Sequence, residues 1–285
     1  MIKVFRKDAR GKINLYLRVT GLREDGYHTL ETVFQQVALC DNVSLTLHSR
    51  GGCSVRTNKR FLPTDGRNLA VRAAEAFFEA ARLENPGLYI NIRKSIPVGG
   101  GMAGGSTNAA AVLSLLNRAF GGPLSHVRLH ELGLSLGADV PFCLEGGAAL
   151  ATGIGEVMQP IKGLPPCHLV LCRPAISVST KTAFGLLDAW PKQIQPPVTA
   201  VVDALEAGNL PAVCHSLYNE FEGPIMDRWP ELRTIREKLR ENGAAGAMMT
   251  GTGSVIFGIF ESTEAAEETA ARLGERYREV FVTTP

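Results

Sequence analysis

The sequence predicts an α+β protein of two domains, and three features lead there. Stretches of alternating apolar and polar residues, as in half-buried strands, are mixed with stretches of helical spacing. The segment Ile161-Lys-Gly-Leu-Pro-Pro166 is short, turn-rich and aperiodic, and it divides the chain into 1–160 and 161–285. Beyond it the elements follow a β-α-β-β-α-β order with extra helices, the ferredoxin-like arrangement. A chain of 285 residues with 45% hydrophobic content can bury a core in each half.

In the first half, Lys12–Val19 alternates: Ile13, Leu15, Leu17 and Val19 face one way, Lys12, Asn14, Tyr16 and Arg18 the other. Arg23–His28 is a polar, glycine-containing turn. Val43–His48 and Ser54–Thr57 read as a hairpin around Gly51-Gly52, and Asn68 as the cap of a helix bearing Leu69, Ala73, Ala76, Phe77 and Ala80. Leu88–Arg93 is a strand leading into a glycine loop, followed by two helices, the segment Gly137–Phe142 and a strand at Ala148–Thr152. In the second half come a strand at His168–Cys172, helical segments, a charged amphipathic helix at Glu231–Glu241 and strands at Ala245–Met249 and Ser254–Phe260. A helix at Thr263–Leu273 and a strand at Glu279–Thr283 close the order.

A formal net charge of +2 gives no reason to expect a nucleic-acid partner. The six cysteines (Cys40, Cys53, Cys143, Cys167, Cys172, Cys214) form no C-x-x-C pair and read as reduced, mostly buried thiols. The apolar stretch after the basic start is interrupted by Asn14 and Arg18, so no signal peptide is expected. Nothing reaches transmembrane length. The expectation is a cytoplasmic protein, monomer or weak homodimer, with no membrane partner.

The chemistry centres on Pro97, Val98, Gly99, Gly100, Gly101, Met102, Ala103, Gly104, Gly105, Ser106 and Thr107, which run directly into a helix carrying Ala109, Val112, Leu113, Leu116 and Phe120. Glycines let backbone N–H groups approach a ligand, and a helix start offers unpaired N–H donors with partial positive charge. Together they suit an anion, above all phosphate. Gly99, Gly101 and Gly104 match G-x-G-x-x-G, but no second strand ending in an acidic residue follows, so a dinucleotide site is excluded. Ser106 stands where a Walker loop needs Lys, and no Lys occurs between Lys94 and Lys162 to complete a protein-kinase set.

Asp139, among small and apolar neighbours, is the carboxylate most suited to accept a proton from a substrate hydroxyl, and Lys12 is the matching cation. A turn-forming Asp and a surface Lys are the plain alternatives. Thr250-Gly-Thr-Gly253 is either a simple hairpin turn or a second source of backbone donors. His126 and His130 share a helix face at i, i+4. With Val127, Arg128 and Leu129 between them and no evident third ligand, they read as surface residues rather than a metal pair.

The loop Pro97–Thr107 resembles the glycine-serine motif of the GHMP kinases (galactokinase, homoserine kinase, mevalonate kinase and relatives), small-molecule kinases without a Walker loop. Lys12-Ile-Asn-Leu-Tyr-Leu-Arg18, Asp25-Gly-Tyr-His28, Gly137-Ala-Asp-Val-Pro-Phe142 and Thr250-Gly-Thr-Gly253 narrow it to a branch whose substrate carries a cytidine diphosphate group. The resemblance implies a two-domain architecture: an N-terminal α+β ATP domain like domain 2 of ribosomal protein S5, then a ferredoxin-like domain. It implies ATP with Mg²⁺ on Pro97–Thr107, with the Ser106 and Thr107 hydroxyls as candidate metal ligands. Asp139 would be the base and Lys12 its electrostatic partner. Tyr27, His28 and Phe184 would enclose the cytosine, Asn14 and Thr180 would contact the substrate, and Asn68 and Lys94 would lie near the adenosine. The same family leaves open a kinase for another small alcohol, of homoserine or mevalonate type, or a nucleotide-binding relative without catalysis. Two positions depart from the family: Met102-Ala103 stands where Leu-Gly is usual, and Thr107 replaces a second Ser. If Ala103 must adopt positive φ, its methyl group costs ~1 kcal/mol or more.

Overall fold

The computed structural model describes residues 3–48, 51–191 and 194–285. In chain order its elements are β1 (Val4–Leu22), β2 (His28–Leu47), β3 (Cys53–Thr57), α1 (Leu69–Ala81), β4 (Leu88–Arg93), α2 (Gly104–Ala119), α3 (His126–Leu136), α4 (Val140–Glu145) and β5 (Ala148–Thr152). Then follow β6 (Val157–Pro160), β7 (His168–Arg173), α5 (Thr180–Asp188), α6 (Thr199–Glu206), α7 (Leu210–His215), β8 (Tyr218–Asn219) and α8 (Glu222–Arg228). The last are α9 (Pro230–Glu241), β9 (Gly246–Met249), β10 (Ile256–Phe260), α10 (Thr263–Gly274) and β11 (Glu279–Thr283). No helix among the described residues is long and apolar enough to cross a membrane.

Two compact units emerge, and both are discontinuous in sequence. One comprises Met1–Gly11, Cys40–Val98 and Ala103–Gly146; the other Lys12–Leu39, Gly99–Met102 and Gly147–Pro285. This is a different division from the expected 1–160 and 161–285, because β1 and β2 each contribute residues to both units.

In the first unit β4 is central, antiparallel to the end of β2 and parallel to β3. The expected hairpin between Val43–His48 and Ser54–Thr57 does not form, since β4 lies between the two strands. Composition explains the exchange. β4 presents Leu88, Ile90 and Ile92 to the core, all at most 2% exposed, whereas β3 fully buries only Val55 and suits an edge. Helices α1 and α2 pack on each other and on this core through Ala70, Ala73, Phe77, Ala109, Val112 and Leu116. Asn68 caps α1 by accepting from Ala70 N at 3.0 Å. The segment Gly137–Phe142, given no element from the sequence pattern, runs into α4, with Pro141 in its first turn.

In the second unit β7, β9, β10 and β11 form an antiparallel sheet in the order β11-β7-β10-β9. That is the ferredoxin-like order, with α5 to α8 as the extra helices. Leu232, Ile235 and Leu239 of α9 and Ala266 and Leu273 of α10 cover one face. β5 joins β2 on one side and β6, which the sequence pattern did not reveal, on the other. β8 pairs with β1 in parallel, Tyr16 opposite Tyr218. Both faces of β1 are covered here. Ile13 and Leu15 are fully buried, and so, nearly, are Lys12 and Asn14 at 5% and 2% exposure.

None of the cysteines is in a disulfide among the described residues; Cys167 and Cys172 are buried and Cys40, Cys53, Cys143 and Cys214 half-buried. Burial pushes Cys167 and Cys172 up to about 12, as inert structural thiols require.

Candidate active site

Within the second unit, Gly99–Met102 is anchored by backbone hydrogen bonds and by the buried Met102 side chain. Lys12 N donates to Met102 O at 3.3 Å and Val255 N to Gly100 O at 3.2 Å. Gly101 has φ 82°, and a Cβ there would stand 2.2 Å from the Thr250 carbonyl oxygen. The position therefore admits only glycine, and Thr250–Gly253 is more than a hairpin turn, since it packs directly on the glycine loop. Asn219 fixes that turn by donating to Met249 O at 2.7 Å and Gly251 O at 2.8 Å.

Within the first unit, Pro97 is buried and Val98 half-buried, and Ala103–Thr107 opens α2. Ala103, the residue before the helix, has φ 57° and ψ 27°. The N-cap residue offers no side-chain hydrogen bond to the first turn, which leaves N–H donors there uncapped. Thr107 is buried and donates its hydroxyl to Arg10 O at 2.7 Å, whereas Gly105 is exposed and Ser106 half-buried. Beneath the loop lies a buried polar cluster. Asp41 accepts from Ser95 N (2.7 Å), Ile96 N (2.9 Å), Asn108 Nδ2 (2.8 Å) and the Lys94 ammonium. Lys94 also donates to Gly104 O at 3.1 Å and Asn108 Oδ1 at 3.0 Å. Desolvation lowers the Lys94 pKa, and the Asp41 carboxylate opposes that shift. All three ammonium protons thus go to protein acceptors, which makes Lys94 a brace of the loop. Asn68 is similarly occupied, its Nδ2 donating to Pro63 O at 2.8 Å while its Oδ1 caps α1.

Lys12 is held on β1 beside the loop. Its ammonium donates to Asn14 Oδ1 at 2.9 Å and lies 5.1 Å from the centre of the Phe34 ring. Asn14 in turn donates to Thr32 Oγ1 at 2.8 Å, and its backbone N–H donates to Thr250 Oγ1 at 3.0 Å. A neutral amide and a π face therefore surround the cation, and no carboxylate pairs with it among the described residues. Asp139, in the first unit, is half-buried at the N-cap position of α4, yet its carboxylate makes no capping hydrogen bond.

The D-G-Y-H turn is closed by Arg23 N donating to Tyr27 O at 2.8 Å and by the Arg23–Asp25 ion pair at 2.7 Å. Tyr27 is 62% exposed, unusual for a tyrosine without a partner for its ring. His28 and Phe184 stack on one another with centroids 4.4 Å apart, and His28 Nε2 meets Asp188 Oδ1 at 2.9 Å. A base between these two rings would need them about 7 Å apart, so they form one wall rather than two. Thr180 is exposed at the start of α5. A cavity of about 730 Å³ adjoins this wall, lined in part by His28, Asp188, Trp190, Tyr218 and Glu220. It has the size of a small-molecule site. Glu222 also lines it: burial raises its carboxyl pKa, and the Arg236 guanidinium at 2.9 Å opposes the rise.

The second unit thus brings together Lys12, Asn14 and Gly99–Met102, and separately His28 with Phe184. The residues missed from sequence are Asp41, Asn108, Thr32 and Asn219. Only Asn108 left a signal, as a polar residue on a helix face with Ala111, Val112 and Leu115.

Two family models match the chain: the GHMP kinases N terminal domain over residues 68–147 and the GHMP kinases C terminal over 201–279. The 4-diphosphocytidyl-2-C-methyl-D-erythritol kinase of Clostridium botulinum (strain Eklund 17B / Type B) is 39% identical over 275 residues, 96% of this chain and 98% of that protein. The protein of the same name from Alkaliphilus metalliredigens (strain QYMF) is 40% identical, covering 99% of this chain and 96% of its own. A crystal structure of 4-(cytidine 5'-diphospho)-2C-methyl-D-erythritol kinase superposes with a TM-score of 0.83 at 34% identity, covering 98% of both chains. L. major mevalonate kinase in complex with R-mevalonate shares the fold, with a TM-score of 0.76 at 18% identity over 99% of this chain and 96% of that one.

Proposed function

The chain belongs to the GHMP kinases and, within them, to the 4-diphosphocytidyl-2-C-methyl-D-erythritol kinases, and from that premise we propose how its own residues perform the reaction. The enzyme transfers the γ-phosphoryl group of ATP to the 2-hydroxyl of 4-diphosphocytidyl-2-C-methyl-D-erythritol, a step toward isoprenoid precursors outside the mevalonate route. This reading rests above all on Lys12. A cation buried to 5% exposure with only neutral contacts is strongly disfavoured unless an anion completes its surroundings. The transferring phosphoryl group is that anion.

In the reaction the substrate hydroxyl oxygen attacks the γ-phosphorus, the bond to the β-phosphate oxygen breaks to release ADP, and the hydroxyl proton passes to Asp139. Lys12 stabilises the charge spread over the equatorial oxygens, and the N-terminus of α2 with the loop N–H groups holds the remaining phosphates. Mg²⁺ bound with ATP would supply charge neutralisation. Ser106, half-buried on the first turn, would be more accessible to it than Thr107, which is buried. Asn68 and Lys94 serve the nucleotide indirectly, by shaping α1 and the loop. The cytosine stacks on the His28–Phe184 wall with Tyr27 closing over its other face, while Asn14 and Thr180 contact the rest of the substrate. We assign nucleotide binding to residues 1–160 and the remaining half to 161–285, an assignment supported by one family model falling on each side.

A panel of alcohols tests the substrate: 4-diphosphocytidyl-2-C-methyl-D-erythritol, homoserine and mevalonate, each with ATP and Mg²⁺. Turnover is expected on the first alone, and Phe184→Ala should raise its KM tenfold or more, from ~1–3 kcal/mol of lost stacking. Equal turnover on homoserine or mevalonate, or an unchanged KM, would remove the cytosine from the account.

A further inference from the structure

We propose that His126, His130 and Glu145 form a divalent transition-metal site, suited to Zn²⁺, that staples α3 to the end of α4. The two histidines lie one turn apart on α3, with ring centroids 4.5 Å apart. Both Nε2 atoms are directed at one oxygen, Oε1 of Glu145, the last residue of α4. The three ligand atoms lie within 4.8 Å of one another. In a tetrahedral zinc site with bonds of ~2.0–2.1 Å, ligand atoms stand roughly 3.3 Å apart, so small side-chain adjustments suffice. The third ligand was invisible in sequence because it arrives from 15 residues beyond His130.

Donor chemistry selects the ion. Two neutral imidazoles and one carboxylate suit Zn²⁺ and its transition-metal neighbours, whereas Mg²⁺ prefers oxygen donors alone. A cavity of about 450 Å³, also lined by Ser114, Asn117 and Arg118, leaves space for water as a fourth ligand. The linkage has a mechanical consequence. α4 has only six residues, too few to persist as a helix unaided. Glu145 ends α4 while Asp139 is its N-cap, and so a clamp on Glu145 steadies the helix without placing metal at the Asp139 carboxylate.

The full chain, stripped of metal and dialysed against ZnCl₂ with Mg²⁺ present, tests the site by metal analysis and thermal melting. One Zn²⁺ per chain and a melting temperature raised by several degrees are expected. His126→Ala, at a side chain 71% exposed and so harmless to folding, should weaken binding more than tenfold, as should Glu145→Gln. Co²⁺ in place of Zn²⁺ should give weak visible bands of nitrogen and oxygen ligation. No bound Zn²⁺, wild-type affinity in both variants, or an intense near-ultraviolet band of thiolate–Co²⁺ charge transfer would each overturn the assignment, the last by moving the metal to cysteine.

Discussion

Ala103 sits where the glycine loop becomes α2, with φ 57° in a region that L-residues avoid. The left-handed conformation costs about 1–2 kcal/mol for a residue with a Cβ, while glycine adds about 0.5–1 kcal/mol of backbone entropy in the unfolded chain. Ala103→Gly should therefore stabilise the protein by about 0.5–1 kcal/mol, a rise of about 2 °C in melting temperature. An unchanged or lower melting temperature would show that the methyl group makes compensating contacts. Lys12 bears on rate. Lys12→Met should lower kcat about 10²–10³-fold, the effect of losing one preorganised charge at a transition state, with little change in KM for ATP. Steady-state kinetics that left kcat intact would make Lys12 a packing residue. The motifs around Lys12, Asp139 and the D-G-Y-H turn were legible because their chemistry is written in adjacent residues. The burial of Lys12 was not, because alternation on a strand gives its faces but not what covers them.

At the scale of elements, the glycine loop depends on a brace outside it. Asp41, at the junction of the two units' shares of β2, gathers the backbone of Ser95 and Ile96, the Asn108 amide and the Lys94 ammonium. Asp41→Asn would leave Lys94 buried without its anion, and breaking a buried pair typically costs about 3–5 kcal/mol. Urea denaturation should show a loss of that size, and an accompanying rise in KM for ATP would follow from the loosened loop. A midpoint within error of wild type would mean that water or another acceptor takes over from Asp41. Helices α1, α2, α3, α9 and α10 and most strands could be placed from periodicity, β4, β5 and β11 to the residue, whereas α4, β6 and β8 could not. What failed was pairing: the connection from β2 to β3 looked like a hairpin, and only the richer burial of β4 shows why it takes the middle position. Asp41 escaped notice for the same reason, since its four partners come from 53 to 67 residues further along the chain.

For the whole molecule, the chain order of the second half foretold a ferredoxin-like sheet, and the sheet has that strand order. The compact units were harder to foresee. β1, β2 and the glycine loop each supply residues to both, so no single point in the sequence separates them. Lys12 belongs to one unit and Asp139 to the other. The direct test is the turnover of 4-diphosphocytidyl-2-C-methyl-D-erythritol by the wild type and by Asp139→Asn, with ATP and Mg²⁺, followed as ADP release and by phosphorus resonance of the product. The account predicts one new phosphate ester at the 2-position from the wild type, and at least a 10²-fold lower kcat without the Asp139 base. Equal turnover by the two proteins, or a product phosphorylated elsewhere, would contradict it.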